Sequence, residues 1–162
     1  MFFDLFKKKE PLILRPEMLQ PIDNKITTME AKRIFKEWML KIGHLDKQEV
    51  GDHVGYFSVA IKDQEECLKM EADHEKDQTK ELLAEEKEYL KDAKRELATC
   101  KDESQKAELQ SDVDAFEQEI ARLTKCLVDH NKPLDDFKKD KRDFLVNYVN
   151  DQVHGSDWRS KV

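Results

Sequence analysis

Glycine and proline are scarce in this sequence of 162 residues, which contains four of each. Neither occurs between Tyr56 and Lys132, and because both residues interrupt helices, their absence argues against frequent turns in that stretch. The stretch is instead rich in Glu, Lys, Leu, Ala and Gln, which have high helix propensity. The sequence also lacks the G-x-G-x-x-G, P-loop and G-x-S-x-G motifs. We therefore expect an all-α protein that is not an enzyme.

Cysteine is also scarce, and Cys67, Cys100 and Cys126 form no C-x-x-C pair. This pattern fits reduced thiols in a cytosol better than a disulfide framework or a zinc site. No apolar run approaches the roughly 18 to 20 residues that a membrane-spanning helix needs. The first residues place their lysines after the apolar side chains, the reverse of a signal peptide. We expect a cytoplasmic location.

The chain has no excess of positive charge, since its formal net charge is −7. Non-specific binding to nucleic acid depends on clustered Lys and Arg, so we expect no nucleic-acid partner. Charged residues make up 40% of the chain and hydrophobic residues 38%, but the hydrophobic ones are regularly spaced. A high charged fraction with periodic apolar positions is typical of a long solvated helix or a coiled coil.

The N-terminal third, residues 1–55, contains three of the four prolines and three of the four glycines. We interpret Glu10 to Lys25 as an extended segment, here called the strap, that lies against the helices. A short amphipathic helix follows at about 28 to 42. Thr27 and Glu30 have the spacing of a reciprocal capping box, and Gly43 suits the C-terminal cap. We expect Trp38 on this helix to be largely buried.

Residues 56–152 have the pattern of an antiparallel helical hairpin, a coiled-coil arm. Two runs of apolar residues spaced by three and four positions are separated by the polar stretch 101–106, where we place the tip. We expect the first long helix to begin beyond the Gly51 to Gly55 region and a restart of the second near Pro133. Folding at about residue 103 pairs apolar with apolar along most of the hairpin. The pairs include Leu97 with Leu109, Leu90 with Phe116, and Phe57 with Tyr148.

The alternative to the hairpin is one straight helix that forms a parallel homodimer. We prefer the hairpin, with the strap and short helix packed at its base. A tail of residues 153–162 follows, either loose or anchored by Trp158, and we expect the whole chain to form one structural unit.

One group of side chains has the spacing of metal ligands. Glu71 and His74 form a Glu-x-x-His pair on one helix face, and the hairpin register brings His130 close to Glu75. The sequence therefore suggests a site for a single divalent metal at Glu71, His74 and His130, without the second Glu-x-x-His of di-metal bundles. The alternative is a polar layer that fixes the register. Cys126 lies one turn before His130, but no cleft is expected there, so we predict no catalytic residue.

The first nine residues combine an apolar cluster with three lysines, and three interpretations stay open: docking on the protein's own core, contact with a membrane surface, or disorder. The side chains concerned are Phe2, Phe3, Phe6, Lys7, Lys8 and Lys9.

The pattern favours a non-enzymatic protein–protein interaction module, for example an adaptor, a chaperone-like protein or an inhibitor or assembly component. It needs no cofactor. The alternative is a helical bundle that binds a metal through Glu71, His74 and His130.

Overall fold

The computed structural model describes residues 13–19, 25–42 and 45–161. The described residues are largely helical and contain no strand, so the predicted all-α class is confirmed. They form two compact units. One consists of the described residues up to Glu65 and those from Asp136 onward, and the other is Glu66–Asp135. The helices are α1 (Thr28–Lys41), α2 (Lys47–Thr99), α3 (Glu103–Asp129), α4 (Lys132–Lys139) and α5 (Arg142–His154).

Helix α1 begins as predicted, but its capping box is made only on one side. The Thr27 hydroxyl accepts a hydrogen bond from the Glu30 N–H at 3.3 Å. The Glu30 Oε2 atom has no hydrogen-bond partner among the described residues, so the return bond is missing. The helix ends at Lys41 with Ile42 as its C-cap, whereas the predicted cap, Gly43, lies outside the described residues.

Trp38 packs against the core, but it is not among the fully buried side chains of α1. The fully buried large side chains of this helix are Phe35 and Met39, whereas Trp38 is only partly buried and lies under the ammonium of Lys41, 5.4 Å from the ring centre. Phe35 is three positions before Trp38 and about 60° away around the helix, so Phe35 faces the core and Trp38 lies at the edge of the buried face.

The prediction that the first long helix begins beyond Gly55 is wrong, because α2 begins at Lys47. Asp46 and Glu49 form the reciprocal capping box that starts it. The Asp46 carboxylate accepts from the Glu49 N–H at 2.8 Å, and the Glu49 carboxylate accepts from the Asp46 N–H at 3.1 Å. This box and the burial of Val50 and Phe57 outweigh the helix-weakening effect of Gly51 and Gly55.

An aromatic cluster holds three helices of the first unit together. The Phe57 ring of α2 stacks on Phe35 of α1 at 4.8 Å between centroids, and it meets Tyr148 and Phe144 of α5 at 5.0 and 6.0 Å. The predicted pairing of Phe57 with Tyr148 is therefore confirmed, as is the predicted short helix. Large buried aromatic pairs of this kind dominate the packing energy of a small core.

The strap packs on α5 through its backbone as well as its side chains. Asn150 is fully buried, and its side chain accepts from the Leu14 N–H at 2.8 Å and donates to the Leu14 carbonyl at 2.7 Å. A 3₁₀ turn, Pro16–Leu19, follows and buries Leu19. Further along, the Ile26 N–H donates to the Asp140 carboxylate and the Ile26 carbonyl accepts from the Lys141 N–H.

The break between α4 and α5 was not predicted. The sequence pattern runs through Lys141 as part of a continuous helix, whereas the structure ends α4 at Lys139 and starts α5 at Arg142. Lys141 is buried, and its ammonium donates to the carbonyls of Phe137 and Lys138 at 3.1 and 2.9 Å. It thus caps α4, because the last carbonyls of a helix lack intrahelical donors.

Trp158 anchors the C-terminal tail, one of the two alternatives left open by the sequence. Trp158 belongs to the 3₁₀ segment Ser156–Lys161, and its side chain is buried. Its Nε1 donates to the Asp151 carboxylate at 2.7 Å.

The second unit contains the predicted hairpin. Helix α2 ends at Thr99, and Asp102 caps α3 by accepting from the Ser104 N–H at 3.0 Å. The turn therefore starts one residue before the predicted tip. Helix α3 ends at Asp129, and Pro133 lies in the first turn of α4, where a missing N–H costs nothing.

Candidate functional site

The hairpin contains one interhelical polar layer, centred on His130 at the C-cap of α3. Its Nδ1 lies 3.1 Å from the Glu75 carboxylate and its Nε2 lies 2.8 Å from the Thr79 hydroxyl, both on α2. The Thr79 hydroxyl also donates to the Glu75 carbonyl one turn earlier at 2.9 Å. Both ring nitrogens are thus engaged, and the side chain of Thr79 is buried. These contacts connect the C-cap of α3 to α2.

The other predicted metal ligands do not join His130. Glu71 and His74 are exposed on α2, and no hydrogen bond or ion pair connects either one to His130 within the described part of the chain. Across residues 13–19, 25–42 and 45–161, no three His, Cys, Asp or Glu side chains are grouped to hold a metal ion. Metal binding at Glu71, His74 and His130 stays a prediction.

The cysteines occupy separate places on the hairpin. Cys67 is exposed, whereas Cys100 and Cys126 are partly buried, and all three are free thiols. The His130 N–H donates to the Cys126 carbonyl, whereas the His130 ring is directed to Thr79 and Glu75.

Two contacts define the two edges of the hairpin interface. The Tyr89 ring lies 6.0 Å from that of Phe116, and the Lys94 ammonium lies 3.5 Å from the Glu117 carboxylate. At 100° per residue, Tyr89 and Lys94 are about 140° apart around α2, on either side of the buried Ala93. One edge is therefore aromatic and the other carries an ion pair.

The lysines of α2 within this unit lie along one side of the helix. All of its lysines between Glu66 and Thr99 fall in a sector about 60° wide that includes Lys94, at 100° per residue. They are Lys69, Lys76, Lys80, Lys87, Lys91 and Lys94.

The opposite flank of α2 is here called the acidic face. It carries Leu82 and Tyr89 together with five glutamates and no Lys or Arg. The glutamates are Glu71, Glu75, Glu85, Glu86 and Glu96.

The hairpin unit carries the excess negative charge of the chain. Glu66–Asp135 contains twenty Asp and Glu and twelve Lys and Arg, a formal net charge of −8 compared with −7 for the whole chain. On α3 the bidentate hydrogen bonds of Arg122 lower the pKa of Glu119. Among the described residues, Glu85, Glu86 and Glu96 form no ion pair.

Apolar side chains are exposed on the same acidic face. Leu82 is 49% exposed and Tyr89 is 52% exposed, although both flank the interface with α3. They are seven residues apart, so they lie two turns apart on one side of the helix. Met70 and Val128 are also exposed, elsewhere on the hairpin surface.

Clefts lined by described residues occur in the first unit. One of about 410 Å³ is bordered by Lys25, Phe137, Phe144 and three aspartates, and another of about 310 Å³ lies between Leu14 and Trp158. None of the described residues that line either cleft is a Ser, Cys or His.

The predicted contact with a membrane surface involves residues that the structure does not describe. Phe2, Phe3, Phe6 and Lys7 to Lys9, for which membrane contact was one interpretation, lie outside the described residues. No helix among the described residues combines the length and apolarity needed to cross a bilayer.

Comparison of the chain with protein-family models, with curated proteins and with solved structures found no match.

Proposed function

We propose that the protein is a non-enzymatic protein–protein interaction module that presents its helical hairpin, Glu66–Asp135, to a protein partner. The observation that carries this proposal is the surface of the hairpin, where exposed apolar side chains lie beside carboxylates without ionic partners. Buried aromatic and aliphatic anchors with complementary charges around them are the usual source of affinity and specificity between proteins.

The hairpin supports binding rather than catalysis. Two packed helices enclose no volume in which a substrate could be surrounded, and binding pockets for small molecules are concave. Such a hairpin offers instead a long, rigid surface, which suits an adaptor, a chaperone-like protein, an inhibitor or an assembly component.

Site-specific photo-crosslinking tests this function. Met70, Tyr89 and Val128 of the hairpin would each be replaced by benzoylphenylalanine in the full chain, which is then irradiated in extract of its native cells. The matched controls are Tyr56 and Met29, which are similarly exposed but lie in the first unit. We expect an adduct of discrete mass from at least one hairpin position. Adducts from the control positions only, or from none, would refute the proposal.

A further inference from the structure

We infer that the acidic face of the hairpin, around Leu82 and Tyr89, docks a basic amphipathic helix of another protein. This inference rests on the proposed function and specifies the surface and the chemistry of the partner.

The spacing of the two apolar side chains suits a helical partner. Leu82 and Tyr89 are separated by two helical turns, about 10.5 Å along α2 at 1.5 Å per residue. A helix laid along this edge brings its own apolar residues, spaced by three or four positions, into the same line. Tyr89 is held in place by its ring contact with Phe116, so little conformational freedom is lost on binding.

The charge around Leu82 and Tyr89 favours a partner of opposite, positive charge. Glu85 and Glu86 lie between Leu82 and Tyr89, and Asp112 continues the acidic surface onto α3 next to Phe116 by helical periodicity. The lysines of α2 lie on the other side of the helix. Lysines or arginines along the flanks of a docking helix would therefore meet unpaired carboxylates.

The same charge argues against a second copy of this chain as the occupant. Two acidic faces packed together would juxtapose like charges, which is unfavourable in an interface. A partner helix of opposite charge gains steering and specificity from the same carboxylates.

The test uses the full chain and a defined probe, a fluorescein-labelled synthetic helix with leucines at every third and fourth position and lysines elsewhere. A second peptide with glutamates in place of the lysines is the charge control. Fluorescence anisotropy at low ionic strength should show binding of the basic peptide and not of the acidic one. The affinity should fall as salt is added, because exposed charges are screened.

Two pairs of variants locate the binding surface. Leu82→Ser with Tyr89→Ser should weaken binding at least about tenfold, as loss of interface anchors does. The matched control, Tyr56→Ser with Val59→Ser, removes two exposed apolar side chains from α2 in the first unit and should change nothing. Circular dichroism would verify that each variant keeps its helices.

Charge reversal separates the acidic face from net charge alone. Glu85→Lys with Glu86→Lys should weaken binding strongly, whereas Lys87→Glu with Lys91→Glu, on the other side of the same helix, should not. Equal and opposite effects of these two changes would mean that binding follows total charge, and the inference would be wrong. It is equally overturned if the basic peptide fails to bind or if sedimentation shows self-association through Leu82 and Tyr89.

These outcomes are distinguishable from failure of the proposed function. Met70 or Val128 could crosslink to a partner while the Leu82→Ser and Tyr89→Ser substitutions leave peptide binding unchanged. The hairpin would then remain an interaction surface, and the acidic face would be rejected as the docking site.

Discussion

The side chain of Asn150 pairs with both backbone groups of Leu14, 136 positions earlier in the chain. In this arrangement the amide of one residue on α5 substitutes for a neighbouring β-strand, which would satisfy the same N–H and C=O. The contact is fully buried, so the strap is attached to α5 by hydrogen bonds that water cannot replace.

Replacement of Asn150 by Leu should therefore destabilise the first unit by about 2 to 4 kcal/mol. The change keeps a similar volume but leaves a buried N–H and a buried C=O without partners, each at a cost of roughly 1 to 3 kcal/mol. Urea denaturation measures the loss. Asn147→Leu is the matched control on the exposed side of α5, and it should change stability by less than about 0.5 kcal/mol. Equal effects of the two substitutions would contradict this role.

Phe35, rather than Trp38, should be the energetic anchor of α1. Phe35 is fully buried and stacked on Phe57, so Phe35→Ala should cost about 3 to 5 kcal/mol. Trp38 is only partly buried, and Trp38→Ala should cost clearly less despite the loss of a larger ring. Melting temperatures of the two variants measured side by side give the order, and a greater loss for Trp38→Ala would contradict the packing.

Replacement of glycine by alanine should stabilise the protein at Gly51 and Gly55 and destabilise it at Gly155. Gly51 and Gly55 lie inside α2 without positive φ, and an added Cβ meets nothing within 4 Å. Gly51→Ala and Gly55→Ala should each stabilise the protein by about 0.5 to 1 kcal/mol. Gly155 has φ +71°, so Gly155→Ala should destabilise by roughly 1 kcal/mol or more. Thermal melts of the three variants would refute the assignment if all shifts had one sign.

The sequence was sufficient to predict the hairpin because its determinants are local and periodic. Apolar spacing located both helices, and the polar stretch after Cys100 located the turn, so that His130 was expected next to Glu75, where the structure has it. The start of α2 at Lys47 was missed although Asp46 and Glu49 have capping-box spacing, because Gly51 and Gly55 suggested a break. Contacts between distant polar groups, such as Asn150 with Leu14 or Lys141 with the end of α4, have no periodic signature. They depend on how the elements pack, which a single sequence does not specify.

The stability of the protein should fall above about pH 10 through Tyr148. Burial raises the pKa of Tyr148, because the phenolate is disfavoured beside the aromatic cluster. The unfolded chain then loses this proton at lower pH than the folded one, so the contribution is present below the ordinary tyrosine pKa of about 10 and is lost as the pH rises. Tyr148→Phe should make the decline of the melting temperature shallower. The same decline in Tyr148→Phe as in the unchanged protein would contradict this role.

The two histidines of the hairpin offer a direct comparison between a metal site and a structural layer. A metal held by Glu71, His74 and His130 would need both histidines, so His74→Ala and His130→Ala would lower metal content and stability alike. A structural layer needs only His130, which contacts Glu75 and Thr79, whereas His74 is exposed.

We expect a structural layer rather than a metal site. His130→Ala should cost about 1 to 3 kcal/mol, because the Thr79 hydroxyl loses its interhelical partner in a mostly buried position, and His74→Ala should change stability by less than about 0.5 kcal/mol. Elemental analysis of protein purified without chelator should find no stoichiometric zinc, manganese or iron, and added chelator should leave the melting temperature unchanged. A chelator-dependent decrease in melting temperature that both substitutions abolish would instead establish the metal site, because a ligand that binds only the folded state stabilises it.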